Sequence, residues 1–224
     1  MHRSIEKRLR FFIPLLGVVV MFLSCDSPKN DEAPHGSYMI QPVLFTSVKL
    51  DDNFWAPRIK TNHDVTIPFT MGKLKETGRI KNFQIAAGLD TGAFCTQFTF
   101  DDTDLYKIIE GACYSSQIFN DPALEAKVDS LIILIGQAQE PDGYIFTNRT
   151  IMGEKAHEWA GTKRWEKVED LSHELYNIGH LIEAAVAHYH ATGKRSFLDI
   201  AIKAADRVCE DFGPGKLELY PGHQ

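Results

Sequence analysis

The chain has 224 residues, 44% of them hydrophobic and 24% charged, which is enough apolar material for a packed core and excludes a disordered polypeptide. Its formal net charge of -6 and pI near 5.8 come without a basic stripe beyond the extreme N-terminus. Phosphate neutralisation along a nucleic acid therefore has no source, and nucleic acid is excluded as a partner.

The chain opens on a basic segment, "MHRSIEKRLR", then an apolar run, "FFIPLLGVVVMFL", too short to span a bilayer as a settled helix, then "SC". This is the pattern of a signal peptide. A small residue directly before Cys25 resembles the cleavage box of bacterial lipoproteins, in which that cysteine is acylated and becomes the first mature residue. Phe22 stands where an aliphatic residue is usual, so ordinary secretion with Cys25 incidental is the alternative. The reading predicts a lipoprotein-type signal over 1–25, a polar linker over 26–42 containing "DSPKNDEAPHGS", and an exported protein at the periplasm or outer-membrane surface that touches membrane only through a lipid anchor.

Residues 43–52 alternate weakly and carry β-branched and aromatic side chains, which predicts a short β-strand segment. From 53 onward the pattern is helical. A helix is expected from about Pro57, near the first helical position, to Gly78, with Pro68 kinking or splitting it. "DDTDLYKIIEGACYSSQIF" begins with carboxylates suited to an N-cap and to the helix dipole and continues with apolar Leu105, Ile108, Ile109, Ala112 and Phe119; "NDP" ends it and the next helix starts at once. About seventy residues later the arrangement returns. "IIEGACYSSQIFNDPAL" aligns without a gap on "LIEAAVAHYHATGKRSFL", pairing Ile109 with Ile182, Glu110 with Glu183, Ala112 with Ala185 and Leu124 with Phe197. Helical hairpins of this kind cannot bury their faces alone and must stack, in a ring or a solenoid. The long excursion between the units, "EPDGYIFTNRTIMGEKAHEWAGTKRWEKVED", favours a ring with a site on its loops.

The second unit holds four histidines. With Ser172 as N-cap, a turn of about 100° per residue places Leu175, Ile178, Ile182, Ala185 and Tyr189 on an apolar stripe. His173 and His180 fall on the opposite face with Tyr176, Asn177 and Ala184, as expected of an inner helix lining a polar lumen. First-turn N–H groups disfavour positive charge on His173, so it is expected neutral and able to hydrogen-bond, with plain solvent exposure as the alternative. His180 reads as a packed histidine, and His188 and His190, beside the turn, as surface residues. Histidines seven apart do not make the four-apart zinc pattern, and Cys95, Cys113 and Cys209 show no C-x-x-C, so no metal site and no cofactor is expected of this chain. Buried free thiols are expected in preference to one disulfide with a cysteine left over. Asp142 and Tyr144 sit in a turn, "QEPDGYIFT", where the aspartate is a turn former or a sugar ligand. Trp159 and Trp165 either stack on a sugar ring or pin the loop. No pair of carboxylates can be singled out by spacing as a glycosidase pair.

Several of these stretches, "VKLDDNFWAPRIKTN", "TGRIKNF", "DTDLYKIIEGACYS", "QEPDGYIFT", "HELYNIGHLIEAAVAHYHATGKRSFLDIA" and "YPGHQ", together resemble the N-terminal part of glycoside hydrolase family 127, the β-L-arabinofuranosidase-like enzymes, over about residues 46–224. The resemblance implies a mainly α fold, a partial (α/α)6 toroid over 53–224, and retaining hydrolysis of arabinofuranosides from plant glycans. It marks His173 and His223 as sugar-binding histidines, and Asp142 and Tyr144 as rim residues that contact substrate. It also implies zinc for the full-length enzyme, held by cysteines and a glutamate together with a cysteine nucleophile, and a second glutamate as acid/base, all beyond Gln224. The chain itself is then expected to lack glycosidase activity. A non-catalytic helical lipoprotein that binds saccharide or a partner protein is the competing expectation.

Overall fold

The computed structural model describes residue 40 and residues 42–220. Cys25, the expected signal and nearly all of the expected linker, and His223 lie outside the described residues. Residues 42–220 belong to a compact unit that begins at Pro42.

The segment expected as a strand is not one. Leu44 and Val48 have extended backbone, but between them Phe45–Ser47 forms a 3-10 turn. Extended chain becomes a strand only when a neighbour takes its N–H and C=O groups. Among the described residues the only β pairing is an isolated bridge between Phe212 and Leu217.

Helix α1 (Trp55–Thr61) starts where the Asp52 carboxylate accepts from the backbone N–H groups of Phe54 and Trp55, which holds that carboxyl below its usual range. A π-helical segment, Asn62–Thr66, joins it to α2 (Ile67–Glu76). The expected effect of Pro68 therefore takes the form of a wider turn. Proline offers no N–H to the carbonyl four residues back, and the π segment absorbs the mismatch. Gly78 stops α2 in the left-handed region at φ 87°, and a Cβ there would stand 2.5 Å from Cβ of Cys95. Helix α3 (Arg79–Ala86) follows.

Helices α4 (Asp102–Phe119) and α5 (Pro122–Ala138) form one hairpin; α7 (Glu174–Thr192) and α8 (Ser196–Asp211) form the second. Both turns use the same device. Asn120 and Gly193, which correspond in the repeat, sit at the helix C-caps with φ of 51° and 72°, as left-handed C-caps do. At the first turn the Asp121 side chain then accepts from Ala123 N and Leu124 N to start α5.

The hairpins stack in the same sense. Lys107 meets Tyr176, and three residues further Glu110 meets His180 and Glu183, so α4 and α7 run parallel. On the outer layer, Glu125 and Asp129 meet Lys194, and Gln139 donates to the Ile200 carbonyl, so α5 and α8 run parallel too. The repeat read from the sequence is thus a mainly α arc of stacked hairpins, the building unit of an (α/α) toroid. Its core takes Ile109, Ala112, Ile132 and Ile135 from the first hairpin and Leu181, Ala184, Ala185, Phe197 and Ala201 from the second, all buried. Apolar side chains of α1, the π segment and α2 stay open to solvent: Phe54, Trp55, Val65 and Phe69 are each more than half exposed.

Three details of the helices depart from expectation. Asp101 and Asp102 make no side-chain cap on α4; they are buried and bind other elements. Ser172 is not the N-cap of α7, which is His173, because the Ser172 hydroxyl donates to Glu174 Oε2 at 2.8 Å. His188 is fully buried rather than on the surface, with Nε2 at 3.3 Å from Asp129 Oδ1; the neighbouring hairpin covers it.

Candidate functional site

The N-terminus of α7 is built around one carboxylate. His173 and Trp165 are non-glycine residues in the left-handed region, at φ 53° and 66°, a conformation that costs about 1–3 kcal/mol each and persists only where the surroundings enforce it. Glu174 supplies the enforcement. Its buried carboxylate accepts from Trp165 N (3.1 Å), Tyr144 Oη (2.5 Å) and Ser172 Oγ (2.8 Å). Burial pushes its carboxyl above the usual range, and these donors pull it back. The long excursion between the hairpins is thereby tied to the first turn of α7, where a carboxylate also suits the helix dipole.

So held, the His173 imidazole is half-buried and packs edge-on against Phe100, ring centroids 4.5 Å apart. A strip of rings extends from it in both directions. On one side Phe100 stacks on Phe98 (5.5 Å, 26°) and Phe98 on Trp159 (6.2 Å, 11°). On the other, Tyr176 lies 6.0 Å from His173 and 4.6 Å from His180, and the Lys107 ammonium donates to the Tyr176 hydroxyl at 2.6 Å. His180 is partly exposed, with Nδ1 2.9 Å from Glu183 Oε2, so it packs against Tyr176 without being interior. The result is a wall of aromatic faces interspersed with imidazole, ammonium and hydroxyl groups. Such a surface can lie against the C–H face of a sugar while donating hydrogen bonds to its hydroxyls.

One cluster on this wall escaped sequence reasoning. Glu110, His180 and Glu183 offer ligand atoms within 4.8 Å of one another, and the Tyr114 hydroxyl donates to Glu110 at 2.8 Å. Burial and the adjacent Glu110 push the Tyr114 phenol up to about 12. The signal for it lies in the repeat, since Glu110 and Glu183 are repeat equivalents and Glu183 lies one turn from His180.

Of the two turn residues, Asp142 takes the turn-former alternative and Tyr144 lies buried behind it. Asp142 accepts from the Arg164 guanidinium at 2.5 Å and its Oδ1 takes the Tyr144 N–H at 3.3 Å. Arg164 holds its carboxyl below the usual range. It is a turn former clamped by arginine. Tyr144 is buried, with its hydroxyl committed to Glu174 and its ring edge-on to Trp165 at 5.3 Å; it supports the start of α7 from behind and presents no face to a substrate. Trp165 is likewise buried, its indole N–H donating to Asp211 at 2.7 Å, so of these two tryptophans only Trp159 is partly exposed. Gly143 lets this turn touch α8: at φ 93° it brings the backbone so close that a Cβ would meet the Lys203 carbonyl oxygen at 2.2 Å.

The donor set for a thiolate zinc centre is not assembled by the described residues. Cys95, Cys113 and Cys209 are free; Cys95 and Cys209 are exposed, and only Cys113 is buried, where burial pushes its thiol up to about 12. A thiol held protonated is a poor metal ligand. The expectation of buried thiols holds for one of the three.

The sequence profile described as "Beta-L-arabinofuranosidase, GH127 catalytic domain" matches residues 47–224. The chain belongs to the GH127 family. Among curated proteins, the non-reducing end beta-L-arabinofuranosidase of Bifidobacterium longum subsp. longum is 39% identical over 146 residues, which is 64% of this chain and 21% of that protein. A solved GH127 beta-arabinofuranosidase is 53% identical with a TM-score of 0.77, covering 83% of this chain and 30% of that one. The GH127 beta-L-arabinofuranosidase of Geobacillus stearothermophilus T6 is 41% identical with a TM-score of 0.72, covering 79% and 28%. The chain thus spans less than a third of the length of each of these three proteins.

Proposed function

We propose that this chain provides the sugar-holding wall of a GH127 glycoside hydrolase that releases β-L-arabinofuranose from plant glycans with retention of configuration. The observation that carries the reading is the His173 imidazole, fixed in a left-handed backbone by Glu174 and set among aromatic rings on the wall formed by α4 and α7. In this role His173 donates a hydrogen bond to a sugar hydroxyl, and His223 is its counterpart from the next motif. The cysteine nucleophile, its zinc and the acid/base glutamate are assigned to residues outside this chain. The described residues supply no thiolate set, and their most buried carboxylates, Asp102 and Glu174, are occupied by Thr147 and by the α7 lock. The basic and apolar N-terminal segment exports the protein, and acylation of Cys25 anchors it, with oligosaccharide or polysaccharide as its partner.

Calorimetric titration of the 224-residue chain with methyl β-L-arabinofuranoside tests the binding role. Measurable affinity that disappears in His173→Ala supports it, and affinity equal in the two proteins refutes it. Release of nitrophenol from an aryl β-L-arabinofuranoside by the purified chain would refute the assignment of the catalytic groups elsewhere.

A further inference from the structure

A cavity adjoins the wall. A depression of about 440 Å³ is lined by Glu158, Trp159, Lys167, Asp170 and Leu171, a volume within the range of small-ligand sites. Leu171 lies two residues before His173 in the chain, and Trp159 is linked to His173 through the Phe98 and Phe100 rings. The depression therefore begins where the ring strip ends.

Its floor is rigid. The buried Arg149 guanidinium donates to the carbonyls of Ala160 and Gly161 at 2.6 and 2.8 Å, fixing the backbone directly after Trp159. Ala160 is fully buried. The Trp159 ring is braced by Phe98, at 11° to its plane, and by His157, edge-on at 4.7 Å. An indole held in place at a solvent-open cavity loses little entropy when a ligand stacks on it. The other lining groups are polar and offer both donors and acceptors: Lys167 and Asp170, 3.3 Å apart, and Glu158. An indole surface with an ammonium and two carboxylates beside it suits a neutral polyhydroxylated ring, which has C–H faces to stack and hydroxyls that pair with either kind of group. The mixed charge does not favour a phosphate or a polycation.

We propose that this depression is a second sugar subsite, in which Trp159 stacks on the residue adjoining the one held at His173, so that the chain recognises an oligosaccharide. The proposal rests on the reading of His173 given above. Its test is calorimetric titration of the full chain, wild type and Trp159→Ala, with methyl β-L-arabinofuranoside and with an L-arabinofuranosyl disaccharide and trisaccharide. The expected result is tighter binding of the di- and trisaccharide than of the monosaccharide by wild type. Trp159→Ala should lower oligosaccharide affinity on the order of tenfold while monosaccharide affinity stays unchanged. Lys167→Ala, which leaves the braced loop intact, should weaken the oligosaccharide in the same selective way, and Trp159→Phe should restore part of the loss. If wild type binds the monosaccharide and gains nothing from the second sugar, or if Trp159→Ala weakens both equally, the subsite is refuted while the His173 reading stands. If wild type binds none of the three sugars, the His173 reading fails and takes the subsite with it.

Discussion

Asp102 should make this fold less stable as pH rises, and a single substitution should remove the effect. Its carboxylate is buried at the first turn of α4 and accepts from both the backbone N–H (2.7 Å) and the hydroxyl of Thr147, so it caps α6 (Thr147–Met152) from a different helix. Burial raises its pKa from 3.8 to about 7, and the two bonds from Thr147 only partly oppose that. A folded-state pKa above the unfolded value means that the native state holds a proton the unfolded chain releases. The contribution of Asp102 to stability is therefore complete below about pH 4 and falls until the pH has passed about 7. The rise from 3.8 to about 7 corresponds to roughly 4 kcal/mol. Asp101 shifts in the same direction, also through burial, and stays in the variant, so the informative quantity is the difference between Asp102→Asn and wild type. Asparagine keeps an acceptor for Thr147 and cannot ionise. Urea denaturation at half-unit steps from pH 4 to 8 should show the variant gaining on wild type by roughly 4 kcal/mol across that window. A difference that is flat with pH would mean that the ionised Asp102 is as well solvated inside the fold as outside, and the burial argument would fail.

Other outcomes follow from the same geometry. Glu174→Gln replaces an acceptor of three bonds with a group that must turn an NH2 toward at least one donor; about 1–3 kcal/mol should be lost in denaturant titrations, together with the single ordered environment of the His173 ring seen by NMR. Retention of that ring signal would show that Glu174 does not hold His173. Gly143→Ala should cost at least about 3 kcal/mol, because the left-handed φ and the 2.2 Å approach to Lys203 cannot both be relieved without moving α8; a loss under about 1 kcal/mol would show that the turn slides freely. Burial lowers the pKa of His188, so its contribution is complete above about pH 6.5 and is lost as pH falls through the depressed value. His188→Phe, beside Phe197, should flatten that acid limb, since Asp129 keeps Lys194 as a partner; an unchanged acid limb would show that His188 binds its proton as readily in the native state as in the unfolded chain.

What could be read from the sequence and what could not divides along a physical line. The hairpins were legible because their causes are local: apolar residues at helical spacing, an Asp-Pro start for α5, and a turn occupied by Asn120 in one copy and Gly193 in the other, both tolerant of positive φ. The likeness of the two units also carried their mutual packing, since repeat-equivalent residues such as Glu110 and Glu183 must come close when copies stack in the same sense. The buried charges were not legible. Asp101 and Asp102 read as helix-start residues on local grounds and nothing local marks Glu174, yet Asp102 meets Thr147 across 45 positions of sequence and Glu174 meets Tyr144 across 30. His188 was misplaced for the same reason, its cover coming from Asp129 on the neighbouring hairpin. The expected strand at 43–52 failed from the opposite side: its side chains favour extension, but extension without a paired neighbour leaves the backbone unsatisfied, and the chain takes a 3-10 turn instead. For the site, the sequence marked His173, while the reason His173 is held in place is a carboxylate whose donors lie two, nine and thirty residues away. The motif marked the position; only the three-dimensional arrangement of its supports explains why the imidazole is fixed, and it is that fixation that Glu174→Gln puts at risk.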